Sequence, residues 1–318
     1  MKKQVFLLAL FISAMSISAS EGALKGQFSV AADEQVFFSQ GNLQYQASTD
    51  TWRFAENQYD MVGADNKNIS ATYTGWIDLF GWGTSGFNQK YPWMTSTDSE
   101  DYGNGANDID GTNYDWGRYN LISNGSDEEG YWYTLTNAEW EYLLNQRPNA
   151  ASLRAPATVM GVKGFILMPD GWVKPASYRY DPDATDFTTN TYNTILDSWK
   201  KMEEEGAVFL PAAGSREGTI VGSVGTIGYY WTASASPDSE IEVGEVYFST
   251  TDVEDLMVTW APERSYGSSV RLVLYAGEPE GIDDVPSDQV QSTKELRNGM
   301  LIIRVGDKEY NAQGQKIK

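Results

Sequence analysis

The residues best suited to chemistry lie in one glycine-rich stretch. Between Asp98 and Asp115, the carboxylates Asp98, Asp101, Asp108, Asp110 and Asp115 alternate with Asn104, Asn107 and Asn113. Calcium takes roughly six to eight oxygen ligands, and this run offers several of them. The spacing is not that of an EF-hand. With Asp108 at the first loop position, Asn113 stands where the obligatory glycine belongs and Tyr119 where the bidentate glutamate belongs. A solvated loop built on Asx turns uses the same residue types. Both readings stay open, and calcium is the one cofactor the sequence suggests. Around the acidic run stand Trp76, Trp82, Trp93, Tyr114 and Trp116. A flat aromatic face stacks on the C–H face of a sugar, while amides and carboxylates accept its hydroxyls. The same rings also pin long loops by making a small core. Ligand-binding residues are expected among these aromatics, because long loops on a rigid scaffold carry binding groups.

The chemistry that is missing narrows the field. The chain has no cysteine and no histidine. That excludes disulfides, the Ser-His-Asp triad and most zinc sites. Ser198 to Lys201 spells Ser-x-x-Lys, but the Ser-Asp-Asn and Lys-Thr-Gly partners of that nucleophile motif are absent. A carboxylate pair could hydrolyse a glycoside, yet no spacing singles out two among 44 acidic residues. The formal net charge of −21 repels nucleic acid and anionic lipid. No catalytic residue is assigned, and the expected activity is binding.

Certain elements must position these loops. Lys2 and Lys3, the apolar run "VFLLALFISAM" and the small residues Ser18 to Ser20 read as a secretory leader over residues 1–20. Export to the outside or to the outer cell surface follows from it. No later apolar run is long enough to span a bilayer as a helix. From Phe28 the segments "QFSV", "QVFFS", "NLQYQA" and "TWRFA" alternate in the manner of strands. Residues 72–130 read as long loops. "TLTNAEWEYLL" then gives a helix start: Thr136 and Glu139 form a capping box, Leu135 and Trp140 a hydrophobic staple, and Pro148 stops the helix at Arg147. A second helix is expected from Ile195 to Glu205, stopped by Gly206, with Glu203 to Glu205 in solvent. Strands return in "AVFLPAAG", "GYYWTASA", "EVYFST", "LMVTWAP" and "SVRLVLY". An acidic linker over 278–292 precedes a small β-meander over 293–318, with turns at Asn298-Gly299 and Gly306-Asp307.

The series "LTNAEWEYLL", "FLPAAGSREG", "GYYWTAS" and "SVRLV", spanning Tyr131 to Tyr275, resembles the FISUMP family, the Fibrobacter succinogenes major paralogous domain. That family is similar to the C-type lectin-like fold of formylglycine-generating sulfatase-modifying proteins. The resemblance implies an α+β, C-type lectin-like domain over 21–277, with few short helices, twisted antiparallel strands and an N-terminal strand-rich extension. The oxidases of that superfamily use cysteines and this chain has none, so fold is implied without that activity. The ending "YNAQGQKI" is similar to C-terminal sorting segments of exported Bacteroidetes proteins. The expected partners are a glycan first, and another surface protein as the alternative, in an adhesion role. A carboxylate-dependent glycoside hydrolase is the second alternative.

Overall fold

The chain folds as a mixed α+β protein dominated by short strands. The computed structural model describes residues 21–126, 128–194, 198–252, 256–260 and 262–276, and the backbone of 292–297, 300–305 and 308–310. The expected leader over 1–20, both expected tail turns and the linker up to residue 291 lie outside these residues. Two units divide the chain, Met1–Gly277 and Glu278–Lys318.

In the first unit β1 (Ala23–Ala31) and β2 (Glu34–Ser39) form a hairpin, followed by the hairpin of β3 (Leu43–Gln46) and β4 (Thr51–Phe54). After a long loop segment come α1 (Trp116–Tyr119) and α2 (Asn137–Glu141). Next stand β5 (Arg154–Val159), β6 (Val162–Leu167), the two-residue β7 (Thr191–Tyr192), α3 (Ser198–Glu204) and β8 (Val208–Pro211). The unit ends with β9 (Ser215–Glu217), β10 (Ile220–Gly222), β11 (Ile227–Ala235), β12 (Val243–Ser249), β13 (Met257–Thr259) and β14 (Val273–Tyr275). The larger sheets have the orders β1-β2-β14, β7-β5-β6-β8 and β11-β12-β13. Pairing β14 with β2, Val273 opposite Phe38, closes the last strand of the unit on its first hairpin.

The β11-β12-β13 sheet separates two cores, because successive side chains point to opposite faces. Tyr230, Val246 and Phe248 join Phe28, Phe38, Trp140 and Leu143 on one side. Trp231, Ala233 and Val243 join Trp82, Trp116, Trp132 and Phe54 on the other. Thus the tryptophan-rich loops have a core of their own.

The capping box forms. The Thr136 amide donates to Glu139 Oε2 at 2.6 Å, and the Glu139 amide donates to Thr136 Oγ1 at 3.3 Å. Leu135 and Trp140 are buried in the first core. The helix widens into a π turn over Tyr142–Gln146 and leaves helical geometry at Arg147, ψ 153°, as the following proline requires. Arg147 then pairs with Asp170 at 2.9 Å. In α3 the expectation of solvated acids fails at Glu203. Gln58 Nε2 donates to Glu203 Oε1 at 3.0 Å. Burial of Glu203 raises its pKa. Gln58 is the reason: it is fully buried, and its own amide oxygen accepts from Phe209 N and from Arg271 Nη2.

Buried arginines tie the loops down. Arg216 donates to the carbonyls of Gly218 and Leu79, and Arg264 to those of Tyr102, Gly105 and Glu240. Loop carbonyls that a short turn leaves unpaired thereby gain a charged donor, a stronger bond than a neutral one. The second unit, taken by itself, is an antiparallel meander of β15 (Ser292–Arg297), β16 (Met300–Val305) and β17 (Lys308–Tyr310).

Candidate functional site

The aromatic loops pack in an order that the sequence conceals. Trp82 and Trp116 are fully buried. Trp82 Nε1 donates to the Thr232 carbonyl at 2.8 Å, and Trp231 Nε1 donates back to the Phe80 carbonyl at 2.5 Å. Gly103, at φ +67°, lies against the Trp82 ring, where a Cβ would collide with it. These two rings pin the loop and are corrected here from ligand platforms to core. Trp76 is half-buried, and the Arg53 guanidinium lies 3.8 Å over its ring. Tyr114 is half-buried against the edge of Phe87 and accepts from Asn88 Nδ2 at 3.0 Å.

Trp93 borders a cleft of about 370 Å³. It belongs to a ladder of rings. Tyr91 stacks on Trp93 at 4.7 Å and 8°, Trp93 on Tyr45 at 5.9 Å and 21°, and Tyr45 contacts Trp52 at 4.5 Å. Exposure falls along it, from 39 % at Tyr91 to 2 % at Tyr45. The outermost platform is therefore Tyr91, with Tyr119, 40 % exposed, also on the cleft. Asp50 and Asn120 supply the polar groups of the lining. The Tyr45 hydroxyl donates to Asp50 Oδ1 at 2.9 Å, and burial followed by the Asp50 bond and charge raises the Tyr45 pKa. Asn120 Nδ2 donates to the carbonyls of Ser85 and Trp116, which leaves its amide oxygen as an acceptor. The hairpin turn between β3 and β4 presents Asp50 at φ +49°, a conformation in which Asp is among the better tolerated residues.

The acidic run does not converge. Asp98 caps a short 3-10 turn by accepting from the Glu100 amide at 3.1 Å. Asp101 accepts from Ser96 Oγ, and Asp108 accepts from the Ala235 amide at 2.7 Å. Asp110 is exposed. Asp115 is fully buried, accepting from Thr134 N and Oγ1 at 2.8 Å each and from Gly117 N at 3.3 Å. Burial pushes its pKa up to about 6. Among the described residues no group of three or more acidic side chains could hold a metal ion. The expected calcium ligands are thus corrected: Asp98, Asp101, Asp108 and Asp115 are turn-capping and loop-tying groups, each with at least one oxygen accepting a donor of the fold, and Asp110 is an exposed side chain that joins no acidic group able to hold a metal among the described residues. The Asx-turn reading of the stretch accounts for what is seen.

Tyr91, Tyr119, Asp50 and Asn120 escaped the sequence reading. The signal for Tyr91 was its place beside Pro92 and Trp93 in "KYPWM"; nothing in the local text orders the ladder. The chain matches no protein-family model, no curated protein and no solved structure. No helix among the described residues is long and apolar enough to cross a membrane.

Proposed function

We propose that this chain is an exported, surface-associated binding protein without catalytic activity, and that it recognises glycan at the Tyr91 cleft. One observation carries the reading: a ring ladder rooted in the core ends on an exposed tyrosine beside a second Asp50 oxygen and an Asn120 amide oxygen that take no donor among the described residues. The ladder holds Tyr91 in place before any ligand arrives, which reduces the ordering cost of binding. Sugar C–H faces fit the Tyr91 and Tyr119 rings, and hydroxyls fit Asp50 and Asn120. Membership of the FISUMP family and the C-type lectin-like fold belong to the same proposal. The Thr136–Glu139 box and the closing of β14 on β2 support them. The meander after the linker is proposed as a sorting or attachment module.

A glycan array, followed by isothermal titration of the best hits, tests the proposal. Binding that weakens at least about tenfold in Tyr91→Ala, with folding intact, is the expected result; tenfold corresponds to about 1.4 kcal/mol. Because the acidic run does not gather into a metal site, affinity should be the same with and without calcium. An array blank at every glycan rejects this reading and favours the adhesion alternative, in which another surface protein is the partner.

A further inference from the structure

A second recessed site lies on the sheet rather than in the loops. The face of β11-β12-β13 that carries Trp231 and Val243 into the second core continues beyond them into an open pocket of about 470 Å³. The strand pairing sets what stands there. On the central strand Tyr247 lies between Tyr229 and Met257, and Glu245 lies between Trp231 and Thr259. The Tyr229 and Tyr247 rings meet at 5.5 Å and 55°, and Tyr266 with Pro262 enters from the following loop. Glu245 is 3 % exposed, and its Oε2 has no hydrogen-bond partner among the described residues. Native structures leave few buried polar groups unpaired, since each costs free energy. No Lys or Arg among the described residues lines the pocket. A carboxyl with no donor, ringed by tyrosines, lacks one thing: a cation.

We infer that this pocket binds an organic cation, an alkylammonium or trimethylammonium group, seated on the Glu245 carboxylate between the rings of Tyr229, Tyr247 and Tyr266. Tyrosine faces attract cations through the ring quadrupole, most strongly where water is excluded. The negative field of the whole chain favours the same sign of ligand. Only a cation gains from ionisation of this carboxyl; a neutral ligand gains nothing from it, and an anion would be repelled by the ionised form.

Proton linkage follows. Burial alone pushes Glu245 up to about 8, which favours the protonated carboxyl near neutral pH. The pocket around it is lined by Tyr229, Tyr247, Tyr266, Ser215 and Ser268, with Thr259 on the neighbouring strand, and none of their hydroxyls donates to Glu245 Oε2. Glu217 and Glu263 act on Tyr266 from further out, and both are acidic. The entering cation must therefore displace a proton from Glu245. Affinity should rise with pH, by about tenfold per unit below 8 and then level off. The chain has no histidine to confuse that signal.

Isothermal titration with choline, with n-butylammonium and with 3,3-dimethylbutan-1-ol, the uncharged isostere of choline, tests the inference. Repeating the titration at pH 7 in buffers of different ionisation enthalpy counts released protons. At least one cation should bind, at least tenfold tighter than the neutral isostere, with close to one proton released per site. Glu245→Gln should lose that discrimination. The wild-type proton count decides the matter even if the variant does not fold. Failure of both cations to bind at millimolar concentration, equal binding of the isostere, or binding without proton release would each overturn it. None of these outcomes bears on the Tyr91 cleft.

Discussion

The Tyr91 cleft and the Glu245 pocket are both built around tyrosines, but their rings are used in opposite ways. At the cleft the rings stack on one another, from Tyr91 through Trp93 and Tyr45 to Trp52, and the carboxylate beside them already accepts a donor. At the pocket Tyr229 and Tyr247 meet at a steep angle, and the carboxyl among them accepts nothing among the described residues. Stacked rings beside a carboxylate that already accepts one donor make a rigid surface suited to a neutral polar ligand. Inclined rings around an unsatisfied acid leave an electrostatic demand that the fold does not meet. An abundance of aromatics alone does not separate these cases; the state of the nearest carboxylate does.

The comparison breaks most visibly at the buried end of the loops. Trp82→Ala should destabilise the first unit by about 3–5 kcal/mol, as removal of a fully buried indole does, read from a denaturant midpoint. A small change there would mean that the loops owe their order to something other than their rings. Next comes the pocket acid. Folded, Glu245 keeps its proton to about pH 8; its ordinary value is 4.5. The native state therefore binds more protons between those limits, and stability falls as pH rises through them. Glu245→Gln should remove that slope and leave the variant more stable than the parent at pH 8, on the order of a few kcal/mol. Thermal midpoints across pH 5–9 give the answer, and parallel curves for the two proteins would show the acid to be ionised and paired after all.

Local signals in the sequence were legible where local physics decides. The alternation of "QVFFS" and "GYYWTASA" marks β2 and β11, and Thr136-x-x-Glu139 marks the start of α2. The hairpin of β5 and β6 was missed because its turn is Met160-Gly161, with φ +51° and +85°. Such turns usually advertise themselves by Asn or Asp at the first position, and Pro156 inside β5 argues against a strand. The candidate sites were less legible for a different reason. Which tryptophan ends in the core depends on partners distant in sequence, as Trp82 depends on Thr232. The alternation of Glu245 with Val246 reads as an ordinary solvent-facing acid, until the loop carrying Pro262 and Tyr266 encloses it. Glu203 misled in the same way, since Gln58 lies far from it in sequence.

A smaller effect separates scaffold from surface at α2. Glu139→Ala removes the reciprocal bonds to Thr136 and should cost roughly 0.5–2 kcal/mol. Neither cleft nor pocket includes Glu139, so ligand affinities at both should be unchanged when binding is measured well below the melting midpoint. Loss of affinity with unchanged stability would move Glu139 from the scaffold to a site.

The smallest effect on stability, and the sharpest on the comparison, belongs to Tyr91→Ala. Tyr91 is 39 % exposed and touches the ladder through one face of Trp93. Aromatic pairs contribute about 0.5–1.5 kcal/mol beyond their buried area, so the variant should stay folded with a stability loss of about 1 kcal/mol. Trp93→Ala removes the middle of the ladder and should cost more, because Tyr45 then loses its outer neighbour as well. If the ladder exists to hold a platform, both variants lose glycan affinity, yet Tyr91→Ala does so almost without destabilisation. If the rings only order the loop, affinity follows stability, so Tyr91→Ala, with its small stability loss, keeps near-parental binding while Trp93→Ala loses it. Tyr91→Phe keeps the face and removes the hydroxyl, so a platform predicts near-parental affinity for it. Titration and melting of Tyr91→Ala, Tyr91→Phe and Trp93→Ala, on a single best glycan, distinguish the two. In all three the choline titration at Glu245 should be unmoved, because the cleft and the pocket share no lining residue.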